Sequence, residues 1–253
     1  QQLIYDCMDD VVEFDVLVNK RKELLKIEQS LFSRSNLIFF SSEELKNRKV
    51  KQYKINQSKY EVVLNAFDNS FLQEKIYQNY DSYFEEYHKK GFKVLTYIGT
   101  ISSWFDFETL QKSLKEFDNI VYFIVGPFEP ETKKLEHPRI VYFGSVEHKF
   151  VKSLIIKSDI MIMPFKINKL ITAVDPVKLY EYIALGKSIL TVEYKELLKF
   201  KEFVNFYSDY NTFKFILETC MQNSNNTKAN DDFIRNNSWH SRVKEVIQLM
   251  NSI

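Results

Sequence analysis

The sequence predicts an α/β protein, a doubly wound parallel sheet preceded by the end of a second sheet of the same kind. Three observations predict it. From residue 93 onward, short runs apolar on both faces alternate with helix-length amphipathic stretches, as in a parallel sheet covered on both sides. Three of the five glycines follow such runs directly, at Gly99, Gly126 and Gly144, where a chain leaves a strand for a loop. Asp175, Pro176 and Gly186 bracket one short helix with an N-cap residue, a first-position proline and a terminating glycine.

Taken in order, residues 3–68 read as strand, helix, strand, helix, strand. LIY at 3–5 opens the series, and residues 20–34 place Leu24, Leu25, Ile27, Leu31 and Phe32 at helical spacing. LIFF at 37–40 is a short apolar run followed by Ser41 and Ser42 as helix caps. VVL at 62–64 is a buried-type strand that leaves through the turn-like Asn65-Ala66-Phe67-Asp68. Residues 72–91 are polar and aromatic without a strand, and read as a linker. The regular part follows: strands at 93–99, 119–127, 139–146, 159–165 and 188–194, with helices at 106–117, 148–158 and 177–185 between them. A polar stretch, 223–232, precedes a last amphipathic helix from Ser238 to Met250. The division expected is 1–71 for the incomplete first unit, 72–92 for the linker, 93–232 for a Rossmann-like unit and 233–253 for the closing helix.

Composition narrows the function classes. With 45% hydrophobic and 27% charged residues over 253 positions, the chain is large enough for two modest cores. Its 35 basic and 34 acidic residues are interspersed, so no basic footprint points to nucleic acid. Cys7 and Cys220 are two lone thiols far apart in sequence, which fits a reducing, cytoplasmic setting better than a disulfide framework. No apolar run approaches the roughly 20 residues needed to cross a bilayer, and no signal-like layout opens the chain. The protein is expected to be soluble, or at most peripheral at the inner face of the membrane.

In a doubly wound sheet, ligands sit beyond the carboxyl ends of the strands. The informative positions are therefore 99–104, 126–127, 144–146 and 164–166. A glycine there lets backbone amides approach a ligand, although each also serves as a tight turn. Neither G-x-G-x-x-G nor G-x-x-x-x-G-K-[ST] occurs, so a dinucleotide dehydrogenase and a P-loop NTPase find no support. The densest signal is Asp175 to Lys187. The amides of Val177, Lys178 and Leu179 at the start of this ten-residue helix form an anion site, to which Lys178 adds a charge suited to a diphosphate. Glu181, nearly on the same face one turn later, is placed to accept both hydroxyls of a ribose. The plain alternative is an exposed Lys178–Glu181 pair worth a few tenths of a kcal/mol.

These residues carry a resemblance. GTISSWFDFE at 99–108, VGP at 125–127, FGSV at 143–146 and the run from Asp159 to Ile189 resemble the donor domain of GT-B glycosyltransferases that build bacterial capsular and cell-wall polysaccharides. IYDCMDD at 4–10, SNLIFFSSEEL at 35–45 and VVLNAFD at 62–68 are similar to the end of their first domain, and NSWHSRVKEVIQLM at 237–250 to the helix that crosses back onto it. The resemblance implies that Glu181 binds the ribose, that the Val177 and Lys178 amides with the Lys178 charge bind the diphosphate, and that backbone near Ser145 and Val146 reads the base. Gly99 and Thr100 would line the donor site. Many such enzymes carry two glutamates with seven residues between them, which places Ala173 where the first would stand. Asp175 is the nearest carboxylate, a candidate contact for the sugar hydroxyls or a plain N-cap. The basic residues usual after the first donor-domain strand are also missing, and Lys166 or Lys169 would supply their charge.

Asp6, Asp9 and Asp10 invite a metal reading, but they flank no single residue, have no histidine nearby in sequence, and GT-B enzymes generally need no metal. His88, His137, His148 and His240 lack ligand spacing and read as structural. Trp104 walls the donor site or packs under its own loop, and Trp239 anchors the last helix. The activity implied is transfer of a sugar from a nucleoside diphosphate sugar, a UDP-sugar by preference, to a glycan or polyprenyl-linked acceptor in bacterial surface polysaccharide synthesis, without a cofactor. The rival readings are a non-catalytic nucleotide-sugar-binding module serving a partner subunit, and a GT-B-shaped epimerase, for which no cluster of carboxylates and histidine is visible. The chain opens at Gln1 with a strand almost at once. Most of the acceptor-side domain is therefore expected to lie upstream, with LIFF at 37–40 short of neighbours and open to self-association. Nucleotide binding through 93–232 without sugar transfer is the outcome expected of these 253 residues.

Overall fold

The structure, a computed structural model, describes residues 3–222 and 231–251. It contains two parallel sheets. The first has the order β1 (Ile4–Cys7), β2 (Leu37–Phe40), β3 (Tyr60–Val62), connected by α1 (Arg21–Arg34) and α2 (Glu43–Tyr53). Its edges fall one or two residues from the expected 3–5 and 62–64 because β2 sets the register. Ile4 faces Leu37, Ile38 faces Tyr60, and the ladder ends where Val63 N–H donates to Phe40 C=O at 2.9 Å.

All four residues of β2 are buried, so the expected lack of neighbours around LIFF is corrected. On one face Cys7, Ile38 and Phe40 pack with Phe32 of α1 and Leu45 of α2. Phe32 stacks on Phe40 at 5.9 Å and lies 4.8 Å from Tyr53. Ser42 caps α2, accepting from Leu45 N–H at 3.1 Å, as the serine pair predicts. Beneath α2, buried Lys49 lies 2.7 Å from Asp10 and 2.7 Å from Glu28, and Tyr53 OH donates to Glu28 at 2.6 Å.

The second sheet has six parallel strands in the order β6-β5-β4-β7-β8-β9. The strands are β4 (Lys93–Ile98), β5 (Ile120–Val125), β6 (Ile140–Gly144), β7 (Ile160–Met163), β8 (Ser188–Val192) and β9 (Asn205–Tyr207). Its helices are α5 (Phe107–Glu116), α6 (Val151–Lys157), α7 (Val177–Ala184) and α8 (Tyr210–Gln222). β5 is buried at every residue, which is why it reads as an uninterrupted apolar run. Strand order reverses between β4 and β7, and the crevice above that point is where such sheets bind ligands.

The 72–91 segment is not a bare linker. It opens on the last residues of α3 (Ser70–Gln73) and carries α4 (Asp81–Lys89), whose buried Phe84 meets Phe123 at 4.9 Å. The buried Phe71 of α3 joins the same core. Of the polar stretch 223–232, residues 223–230 lie outside the described residues. After it come α9 (Asp231–Asn236) and α10 (Trp239–Asn251). Trp239 anchors α10 through its backbone, its N–H donating to Phe67 C=O at 3.0 Å, whereas its ring is 39% exposed. α10 roofs the second face of the first sheet loosely, leaving an apolar groove of about 350 Å³ that includes Phe39, Val63 and Ile247. Among the described residues no helix is long and apolar enough to cross a membrane.

Candidate functional site

α7 starts at the switch point, and its entry differs from the sequence expectation. Pro176 is the N-cap, with φ −80° and ψ 118°, and no side chain caps the helix. Asp175 stands one residue outside. Its buried carboxylate accepts from Asn65 N–H at 2.9 Å and from Tyr180 OH at 2.7 Å, with Lys199 Nζ 2.9 Å from the other oxygen. Asn65 Nδ2 returns a bond to Asp175 C=O at 2.5 Å. The N-cap expectation is thereby corrected, and the carboxylate offered for sugar hydroxyls is occupied by protein partners. It pins the entry of α7 to the first sheet.

The helix runs for eight residues rather than ten, and Gly186 ends it at φ 64°, where its N–H donates to Ile183 C=O at 2.9 Å. Of the three amides expected at its start, that of Leu179 is turned onto Pro176 C=O at 3.0 Å. Val177 and Lys178 keep the first-turn amides that lack an intrahelical acceptor. Lys178 Nζ reaches both oxygens of Glu181, at 2.9 and 2.8 Å. Glu181 is only 5% exposed. Burial pushes its carboxyl up from the usual range, and Lys178 opposes that shift. The pair is therefore a partly desolvated one at a helix N-terminus, not the freely solvated pair of the plain alternative.

The glycine turns divide by cause. Gly126 has φ 138°, and a Cβ there would sit 1.9 Å from Gly99 O, so strand-to-loop packing alone demands a glycine. Gly99 N–H donates to Val125 C=O at 2.9 Å, and Thr100 C=O accepts from Tyr97 OH at 2.8 Å, leaving both residues half-buried. Gly144 adopts φ 65° with open space around it. After it Ser145 is exposed, and Val146 packs partly against the core.

Lys166 is exposed and lines a cleft of about 700 Å³ together with Asp15, Ser103, Glu129 and Lys133. The other expected donor residues do not line that cleft. Lys169 is engaged across the two sheets by Glu13 at 2.5 Å. Trp104 is half-buried with its ring edge-on to Phe14 at 6.0 Å, so it packs toward the N-terminal segment. Asp10 is paired with Lys49, while Asp9 is pushed up to about 6, by burial first and by Asp10 second. Among the described residues no group of three or more His, Cys, Asp or Glu is gathered to hold a metal ion.

No protein-family model matches the chain. A protein of Bacillus subtilis (strain 168), provisionally named as the teichuronic acid biosynthesis glycosyltransferase TuaH, is 26% identical over 200 residues, which is 75% of this chain and 50% of that one. The chain thus spans about half the length of that relative. HepE from Anabaena, solved in complex with UDP and glucose, superposes with a TM-score of 0.75 at 13% identity, over 100% of this chain and 72% of HepE. Sucrose-phosphate synthase from Thermosynechococcus elongatus gives 0.73 at 12% identity, over 99% of this chain and 67% of its own.

The chain has the GT-B fold. β1 to β3 form one sheet and the six strands from β4 to β9 another, and α10 packs back against the first. The interface is laced by polar contacts: Ser42 Oγ donates to Ala173 C=O at 2.6 Å, and Arg48 reaches Thr172 Oγ1 at 2.6 Å and the Lys169 carbonyl. Ala173 is itself buried in the cluster of the first sheet, so a glutamate side chain at that position would have no room without displacing the interface. Sequence reasoning missed Asn65, Tyr180 and Lys199 around Asp175, and the pairing of Glu74 with His148 in the loop after β6. His148, three residues past Ser145, carried the only local signal.

Proposed function

We propose that this chain is the nucleotide-sugar-binding part of a glycosyltransferase, which moves a sugar from a UDP-sugar to a glycan or polyprenyl-linked acceptor in bacterial surface polysaccharide synthesis. The observation that carries the reading is the first turn of α7. There two free amides, the Lys178 ammonium and the buried Glu181 carboxylate converge at the switch point of a GT-B sheet. The amides and Lys178 hold the diphosphate, Glu181 takes the ribose, and backbone at Ser145 and Val146 meets the base. As the bond between sugar and phosphate breaks, negative charge grows on the leaving diphosphate, and a helix N-terminus with an adjacent cation lowers the barrier by stabilising that charge. This chemistry needs no metal ion. The complexes of HepE with UDP and with UDP-glucose and the name of TuaH support the choice of nucleotide and of pathway class. Peripheral attachment to the inner face of the membrane follows from a lipid-linked acceptor.

A second reading, a non-catalytic nucleotide-sugar-binding module, is favoured by one observation: Ala173 and Asp175 both face the domain interface, leaving no carboxylate of that loop for the sugar. Calorimetry with UDP and UDP-glucose tests binding, and UDP release from a panel of UDP-sugars with and without acceptor tests transfer. Binding of neither nucleotide would sink both readings. Binding with acceptor-dependent release of UDP is the outcome expected of the first. Binding without release for any UDP-sugar and acceptor favours the second.

A further inference from the structure

A second pair of polar side chains, His148 and Glu74, meets at the carboxyl end of the six-stranded sheet. His148 follows β6 with its side chain 61% exposed, and the segment at 70–74 holds its ring from behind. Glu74 Oε1 lies 3.6 Å from His148 Nδ1, and the Phe71 ring is 5.8 Å from the imidazole. The support is firm, since Phe71 is buried and Lys152 Nζ ties the carbonyls of Leu72 and Glu74 at 2.7 Å each. Glu74 is not satisfied by this arrangement. Its Oε2 is screened from solvent and has no hydrogen-bond partner among the described residues, a state that buried carboxylates avoid unless a donor is supplied. His148 stands in the loop that leaves the carboxyl end of β6, three residues past Ser145 and on the side of the sheet where the proposed nucleotide site lies.

We propose that His148 contacts the nucleobase and that Glu74 is its positioning residue, the two together selecting uracil over cytosine. The inference rests on the nucleotide reading of the same site. A small rotation closes the 3.6 Å gap to a bond from Nδ1–H to Glu74, and the ring is then fixed in the tautomer that leaves a lone pair on Nε2. Uracil carries N3–H, which donates to that lone pair. Cytosine has a lone pair at N3, which repels it. The arrangement thus reads one edge of a pyrimidine, in a place where backbone amides alone would accept either base.

Titration of UDP and CDP into the full chain by calorimetry tests this. The parent chain should prefer UDP by about tenfold or more, the value of one well-placed hydrogen bond. His148→Ala should lower UDP affinity by about that factor, leave CDP nearly unchanged, and so abolish the preference. Glu74→Gln should erode the preference partly, because an amide fixes the tautomer less firmly. A merely structural role for either residue would move both ligands together, leaving their ratio as in the parent. A ratio untouched by His148→Ala, in a chain that does bind UDP, overturns the inference alone. Failure of the parent chain to bind either nucleotide overturns the nucleotide reading and this inference with it.

Discussion

Replacing Glu181 by alanine separates the ion pair present in the free chain from the ribose contact proposed for it. Both oxygens of Glu181 lie on Lys178 Nζ, at 2.9 and 2.8 Å. A ribose that binds there must share those oxygens. Hydrogen bonds to an ionised carboxylate contribute roughly 1.5 to 3 kcal/mol, so Glu181→Ala should weaken uridine by roughly 10- to 150-fold. UDP should suffer less. The substitution frees Lys178, whose side chain is 28% exposed, to turn wholly to the diphosphate. A partly solvated ion pair returns about 0.2 to 1 kcal/mol. The net loss for UDP is then about 0.5 to 2.8 kcal/mol, always below that for uridine. Calorimetry with uridine and UDP in one buffer gives both numbers, and circular dichroism checks that the variant stays folded. Equal affinities in variant and parent would remove Glu181 from the site. A larger loss for UDP than for uridine would refute the proposed division of labour between Glu181 and Lys178.

The converse change, Lys178→Ala, should weaken UDP more than uridine at alkaline pH. It also removes the group opposing the burial-driven rise of the Glu181 carboxyl. As pH is lowered, uridine binding by this variant should fall at a higher pH than in the parent, which titrations across pH 5 to 8 would show. Lys49→Met leaves Asp10 and Glu28 buried without their shared cation. Breaking such a pair costs about 3 to 5 kcal/mol, so thermal unfolding should shift down by roughly 10 °C; a shift under about 2 °C would mean the cluster is not desolvated. Asp9, pushed up to about 6, holds a proton in the folded chain between pH 4 and 6 that the unfolded chain has released. Stability should therefore fall as pH rises through that window, by about 1 to 2 kcal/mol after allowance for partial exposure. Asp9→Asn should flatten this slope in urea denaturation, and an unchanged slope would contradict the assignment.

What could be read from the sequence follows from where the physical cause lies along the chain. β4, β5 and β7 were legible because burial on both faces leaves runs such as Ile120–Val125 with no polar interruption. β9 was not. It has three residues, the first exposed, and sits at the sheet edge, where one side of the ladder asks nothing of the sequence. α8 buries only Phe213 and Leu217, too sparse a stripe to stand out. The Lys178–Glu181 pair was visible because three residues of helix bring those side chains together. Glu74 and His148 meet across 74 positions, and Asn65 and Asp175 across 110, so no local pattern records either.

The case of Asp175 shows why a correct motif led to an incorrect role. Aspartate before proline at a helix start is a common N-cap arrangement, and the residue types fit that reading. The structure instead gives Asp175 four contacts from three residues: the Asn65 amide and side chain after β3, Tyr180 of α7 itself, and Lys199 after β8. Tyr180 binds the carboxylate from within the helix whose entry that carboxylate fixes. The start of α7 is thus held from both sheets at once, as Ser42 holds the Ala173 carbonyl two residues earlier. A helix that offers amides to a diphosphate gains from such rigidity, because the donors are then aimed before the ligand arrives and need not be ordered by it. The carboxylate that a local reading would assign to the sugar serves to hold the amides proposed for the phosphates, with Asn65 tying it to the first sheet while Tyr180 and Lys199 hold it from the second.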